Sequence, residues 1–343
     1  MKITRYIYFY KIPKTKSLIT SSNSMVIIGR KNQIIIDPGI DLNRKWNSLI
    51  GEMKADGLDI KKTTRIWLTH SHPDHVQLIE RIVKESGAKV SCHHLAKTIL
   101  ESKRPFLKFQ AKEAKLAGKL YKLLYLHPKK INPNMLPEIK TIVKFLNLKK
   151  MKIDRVFEGG EEIVVNGLKI YILGLPGHSP DEIGFWIPKE EVLIIGDLIH
   201  PTDNGQGGRS HFPIFNTFAS DIEKAKESLK KLTEIKNWSF FVLPILPKIC
   251  RPRILLPAHG EPVIGKQNIQ NLFEGTLANI KAAKQIAKKF VDEEYPCLDS
   301  FQLITGLAEK LGSLFPKEIL TPDLEYEMQF AALAILKSMG VIK

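Results

Sequence analysis

Residues 69–75 read Thr-His-Ser-His-Pro-Asp-His (THSHPDH). Three of the ten histidines of this 343-residue chain fall in these seven positions, together with one carboxylate. The apolar residues 65–69 (RIWLT) that lead into the stretch have the composition of a short strand. Val76, Ile79, Ile82 and Val83 follow at helical spacing, with Gly87 placed to end that helix. The histidines therefore sit on a loop between a strand and a helix. Alternate residues of an extended loop point to the same side, so His70 and His72 can share one metal ion. Asp74 and His75 come as the chain turns into the helix and face a neighbouring point. Imidazole combined with carboxylate suits zinc, iron or manganese.

Further ligand-type residues stand in similar places along the chain. Residues 24–29 (SMVIIG) and 33–37 (QIIID) are two apolar runs joined by a short polar turn, which predicts a hairpin ending at Asp37. Residues 162–165 and 168–175 flank Asn166-Gly167, a strong hairpin signal. His178 follows in LGLPGHSPDE, Asp197 follows VLIIG, and His259 follows RILLPA. Each lies just beyond an apolar strand, where strand ends can gather a site. Asp37 suits a supporting role, orienting a ligand histidine. Strands are also expected at 89–92, 183–187, 192–195 and 253–256, and an amphipathic helix at 221–232. From residue 266 the pattern is helical: 266–291, 299–312 after an Asp299 cap, and 323–339 after Asp323. Two strand-rich halves, each followed by helices, predict stacked sheets covered by helices.

Composition sets outer limits. The apolar fraction is 43% and the charged fraction 26%, ordinary for a globular chain with a real core. The formal charge of +16 suits an anionic partner, whether nucleic acid, an acidic membrane surface or an anionic substrate, and equally suits a lysine-rich solvated surface. Residues 97–155 carry 16 Lys/Arg against four Asp/Glu and hold +12 of that charge. Two apolar stripes at helical spacing mark this segment as a basic helical insertion. Near the mouth of the site it reads as a lid or arm that recruits an anionic substrate, or as a solvated helical hairpin or a homodimer contact through its stripes. Cys92, Cys250 and Cys297 are far apart, which argues against a zinc ribbon, a redox pair and a disulfide framework. No window approaches the ~18 consecutive apolar residues of a membrane span, and residues 1–16 lack a signal-peptide core. The chain reads as cytoplasmic.

The set HxHxDH…His…Asp…His, with an early Asp-x-Gly turn, resembles the metallo-β-lactamase-fold hydrolase superfamily over roughly residues 20–265. The phrases GHSPDEIGFWIP and LIIGD resemble its glyoxalase-II-like branch. The resemblance implies an α+β fold, a four-layer αβ/βα sandwich with a two-metal site at one edge. It implies residues 1–265 as the catalytic domain, with 97–155 as the insertion. Residues 266–343 resemble the helical, winged-helix-like C-terminal region of some members, including single-stranded RNA endonucleases. Carried over, His70, His72 and His178 hold one metal, Asp74, His75 and His259 the second, and Asp197 bridges both. Two Zn²⁺ are expected, with iron and manganese suiting the same donors. The implied reaction is hydrolysis of a small ester, thioester or lactone by a hydroxide shared between the ions, with Asp74 and Asp197 orienting it. The alternatives are a nuclease acting on RNA or single-stranded DNA, and a persulfide dioxygenase with one iron. Where many relatives have two glycines after the motif, this chain has Val76-Gln77-Leu78. Among the other histidines, His93 and His94 are expected to be structural and His127 to lie on the insertion's surface. His200 and His211 flank a Gly-rich loop and could donate a hydrogen bond to an oxyanion.

Overall fold

The structure is a computed structural model that describes residues 1–11, 21–29, 32–102, 150–165, 167–199, 202–203, 209–210, 213, 219–234, 251–294, 298–314 and 322–342. Most of the expected insertion lies outside the described residues, as do His127, His200, His211, Cys250 and Cys297. The ends of the 97–155 segment that are described belong to the fold. Residues 97–100 complete a helix, and Arg155 begins a strand.

Two six-stranded sheets carry the architecture. In the first, β1 (Ile7–Tyr10), β2 (Ser24–Ile28), β3 (Gln33–Ile36), β4 (Thr63–Trp67), β5 (Lys89–His93) and β6 (Arg155–Phe157) lie side by side in chain order. The expected hairpin is β2–β3, with Met25 opposite Ile36, and β3 to β6 run parallel. The second sheet is built from β7 (Glu162–Val165), β8 (Leu168–Gly174), β9 (Ile183–Ile187), β10 (Val192–Ile194), β13 (Ile254–Leu256) and β14 (Val263–Ile264). A two-stranded ribbon, β11 (Thr202–Asp203) with β12 (Arg209–Ser210), stands apart. β7 and β8 pair antiparallel as expected, and Gly167, just before β8, takes φ +78°, the left-handed region a tight hairpin requires. Strands β1, β6 and β14 were not legible from pattern. Each has only two to four residues, and neighbouring strands decide its pairing.

The sheets face each other through an apolar layer. Ile7, Phe9, Met25, Ile27, Ile34 and Ile36 meet Ile170, Ile172, Phe185 and Ile194, with Trp67 at the junction. Its ring stacks on Phe185 at 5.4 Å and meets Phe157 edge-on at 5.6 Å. Alternate residues of the first sheet (Tyr8, Val26, Ile35, Ile66, Val90) point outward. They are covered by α1 (Asn43–Ala55), the short α2 (Pro73–Val76), α3 (Ile79–Ser86) and α4 (His94–Leu100), through Trp46, Leu49, Met53, Val76, Ile79, Ile82 and Ala96. Gly87 ends α3 at φ +70°, as its position implied. The outer face of the second sheet is covered by α5 (Ile222–Thr233), α6 (Lys266–Glu294), α7 (Ser300–Gly312) and α8 (Pro322–Ser338). Asp221 caps α5 by accepting from the amides of Glu223 and Lys224. The result is the expected four-layer α+β sandwich. The apolar core runs on across residue 265: Leu255 and Val263 share it with Ile269, Phe273, Leu307 and Leu336. No helix among the described residues is long and apolar enough to cross a membrane.

One buried group of the outer layer is unusual. Lys45 of α1 is 5% exposed, and its ammonium donates to the carbonyl of Ser22 at 3.2 Å. Burial pushes its pKa down to about 7, against a smaller opposing pull from Glu52. Above that pH the folded chain gives up a proton that the unfolded chain keeps until about pH 10.4. The unfolded state then binds more protons, so this residue makes stability rise with pH across that window. Chemical denaturation of wild type and Lys45→Met at pH 6 to 10 should show wild type gaining relative to the variant above pH 7, on the order of a few kcal/mol; parallel curves would refute a buried neutral lysine. Trp67→Ala should destabilise the chain by about 3–5 kcal/mol, read in the same assay, because it empties the junction between the sheets.

Candidate metal centre

Topology brings the ligand-type residues to one edge. In the first sheet β3 and β4 are parallel, so Asp37 after β3 and the 70–75 loop after β4 leave from the same end. In the second sheet β8 and β10 both run antiparallel to β9, and β13 is parallel to β10. The segments bearing His178, Asp197 and His259 therefore leave together too. Backbone hydrogen bonds knit these loops across the two sheets: Ile183 N donates to Thr69 O, Ala258 N to Gly196 O, and Asn23 N to Ala258 O. Ser22 ties in Asp74, its amide and hydroxyl both donating to the Asp74 carbonyl. Val76-Gln77-Leu78 has its own fit: Val76 and Leu78 are core residues, and the Gln77 side chain accepts from the amide of Asp41.

All seven side chains expected to bind metal are brought together, in two groups. Ligand atoms of His70, His72, His178 and Asp197 lie within 4.8 Å of one another, as do those of Asp74, His75, Asp197 and His259. In the first group, Nδ1 of His72 is 2.9 Å from Nε2 of His70 and 2.7 Å from Nε2 of His178. Oδ2 of Asp197 is 3.3 Å from Nε2 of His178 and 3.8 Å from Nε2 of His70. In the second group, Nε2 of His259 lies 3.1 Å from Oδ2 of Asp74 and 3.5 Å from Oδ1 of Asp197. Nε2 of His75 lies 3.6 Å and 3.4 Å from the same two carboxylates. Ligands held tetrahedrally at about 2.0–2.1 Å from an ion stand roughly 3.3 Å apart, and the observed spacings straddle that value. Nε2 of His75 and both carboxylate oxygens of Asp197 are buried without a hydrogen bond among the described residues. Unmet polarity of this kind at the focus of two donor groups fits a bound cation.

Supporting residues fix the rings. Asp37, at φ +50°, accepts from the Thr69 amide at 2.9 Å and the Thr69 hydroxyl at 2.6 Å. With its proton on Asp37, the Thr69 hydroxyl accepts from Nδ1 of His70 at 3.0 Å, which leaves Nε2 of His70 as the lone pair facing the site. Nδ1 of His75 lies 3.0 Å from Asp37 Oδ2, close enough for an ion pair though not aligned as a hydrogen bond. The supporting role expected of Asp37 is thus visible in its contacts. Thr69, Asp181 and Glu182 were not picked out from sequence. Asp181 accepts from the Ser71 amide at 2.8 Å, and Glu182 accepts from the Asp197 amide at 2.6 Å. Their only sequence signal was two adjacent acids beside a ligand-type histidine. His93 caps α4, accepting from the Leu95 amide, and His94 pairs with Glu158 at 2.7 Å, so both serve structure.

Electrostatics separate the two groups. Burial, reinforced by neighbouring imidazoles, holds His70 and His72 well below the usual histidine range, so both are neutral with lone pairs to give. Burial also opposes protonation of His75, but Asp197, Asp74 and Asp37 outweigh it and hold that ring well above its ordinary value. Against the same burial, Asp197 and Asp74 push His259 up to about 10. Burial opposes ionisation of Asp197, yet His259, His75 and His178 hold its carboxyl well below the carboxylate range. Protons on His75 and His259 and a dication are alternative ways to balance the same carboxylates, so a cation bound here would displace protons. Burial, then the charge of Asp197, raises Glu182 well above the carboxylate range and keeps it neutral.

Comparison with known proteins agrees with this architecture. The chain is 25% identical over 270 residues to the metallo-beta-lactamase fold-containing protein ST1585 of Sulfurisphaera tokodaii, covering 76% of this chain and 86% of that one. It is 27% identical over 192 residues to the hydroxyacylglutathione hydrolase GloC of Haemophilus influenzae, covering 55% and 70%. The crystal structure of the metallo-beta-lactamase family protein TTHA1429 from Thermus thermophilus superposes with a TM-score of 0.65 at 19% identity, over 99% of this chain and 96% of the other. The family model described as the metallo-beta-lactamase superfamily matches residues 19–238, which contain six of the seven converging side chains. With the fold, the strand-end loops and the HxHxDH constellation all in place, the chain belongs to the metallo-beta-lactamase superfamily.

Proposed function

We propose that this chain is a two-metal hydrolase of a small ester, thioester or lactone. The observation that carries the reading is the overlap of two donor groups on one buried carboxylate, Asp197. His70, His72 and His178 would hold one ion and Asp74, His75 and His259 the other, with Asp197 within reach of both. The nitrogen-rich donor set favours zinc over manganese. When bound, paired dications lower the pKa of water and draw charge from the electrophile. Among the described residues, the cluster members with some exposure are His72, 6% exposed, and Asp74 and His259, 10% and 13% exposed at their side chains. Substrate approaches from their side, and Asp74 orients the attacking water there. Asp37 and Thr69 hold His70 and His75 in the required tautomer and orientation. The likeness to a hydroxyacylglutathione hydrolase supports an acyl substrate over a phosphodiester.

A second reading, a nuclease, draws on the charge of +16 and on residues 97–155. A hydrolysis panel on metal-loaded protein separates the two. Thioester, ester or lactone should turn over, while RNA and a phosphodiester should not. RNA cleavage that weakens steeply with added salt would replace the first reading with the second. Metal analysis of purified protein should find about two ions per chain. His72→Ala and Asp197→Ala should each lower that content and reduce turnover by about a thousandfold or more. A full complement of metal in both variants would refute the ligand assignment, and a single iron would favour the dioxygenase chemistry.

A further inference from the structure

We propose that Asp181 and Glu182 are positioning residues, a pair of buried carboxyl groups that sets where the two donor groups meet. The proposal rests on the two-metal reading above and concerns how that site is held. The two acids follow His178 by three and four residues and are 2% and 1% exposed. Burying adjacent carboxyl groups is costly unless each is used, and each of these accepts a backbone amide of a ligand-bearing loop. Asp181 Oδ2 takes the amide of Ser71, the residue between His70 and His72. That peptide sets the separation of the two rings, whose nitrogens stand 2.9 Å apart. Glu182 Oε1 takes the amide of Asp197, the residue common to both groups.

The same segment is closed on itself and on the first sheet. Leu175 N donates to Glu182 O, Glu182 N to Ser179 O, and Ile183 N to Thr69 O. The side chain of Glu182 also fits against the Asp197 loop without slack. Gly196 sits at φ +58°, and a Cβ there would lie 2.6 Å from Glu182 Oε1 and 3.0 Å from Thr69 Cβ. One short segment thus carries His178 in its own backbone, grips the 70–75 loop with one acid, and grips the 197 loop with the other. Because, among the described residues, Asp181 accepts from the Ser71 amide between His70 and His72 while Glu182 accepts from the shared residue, the two acids differ in what they control. Loss of Asp181 loosens the His70, His72, His178 group. Loss of Glu182 loosens both groups.

The test is a stepwise Zn²⁺ titration against a chromophoric chelator, on the full chain, with folding followed by circular dichroism. Groups that orient ligands are worth about 10–100-fold in metal affinity. Glu182→Leu should weaken both binding steps by that factor, and Glu182→Gln, which keeps the accepting oxygen, should recover most of the loss. Asp181→Ala should weaken one step and leave the other, with Asp181→Asn recovering it. If Glu182→Leu does not fold, Glu182→Asp, which withdraws the oxygen by one methylene, should show the same two-step loss. Folded Leu and Ala variants that bind both ions at wild-type affinity would overturn the proposal, as would a Gln variant no better than Leu. Wild type that takes up no Zn²⁺ would instead overturn the two-metal reading itself.

Discussion

The structure depends on one buried charge. Asp197 is fully buried and held ionised by His259, His75 and His178, which surround it from both donor groups. An isolated carboxylate in such a place would take up a proton or pull water inward. Here imidazoles stand 3.3–3.8 Å from its oxygens on every described side, so the charge is tolerated only where cations or protonated rings can face it. Two sheets, five loops and the supporting acids can be read as what it takes to deliver those partners to one point.

The sandwich makes that delivery possible. Strand ends converge because parallel pairing in the first sheet and the β8–β9–β10–β13 pairing in the second send their site-bearing loops to a common edge. The apolar layer between the sheets, anchored at Trp67, fixes the distance between those edges. Three residues after Trp67 the chain enters the histidine loop, so packing and chemistry adjoin. Gly177 shows how tight the fit is: a Cβ there would come within 2.5 Å of the Ala225 backbone in α5, so the residue beside His178 must be small.

Much of this was legible in the sequence. The metal-type residues were found because each is a His or Asp placed directly after an apolar run, and because four of them are packed into six positions. Asp37 was found for the same reason, and it lies against Thr69 and His75. What escaped has a common cause. Asp181, Glu182 and Lys45 act through contacts to backbone groups 15 to 110 residues away, and Thr69 through the Asp37 side chain 32 residues away; no local pattern records partners that distant. Strands β1, β6 and β14 escaped likewise: all three are short edge strands, each defined by its one neighbour in the sheet. The substrate is not encoded in the HxHxDH pattern at all, because the same donors serve several hydrolases of the superfamily.

The most direct measurement is anomalous diffraction from a crystal grown with Zn²⁺, collected at the zinc edge. The account predicts two peaks, one among His70, His72, His178 and Asp197, the other among Asp74, His75, Asp197 and His259, with Asp197 touching both. Peaks elsewhere, or density at neither group, would contradict it.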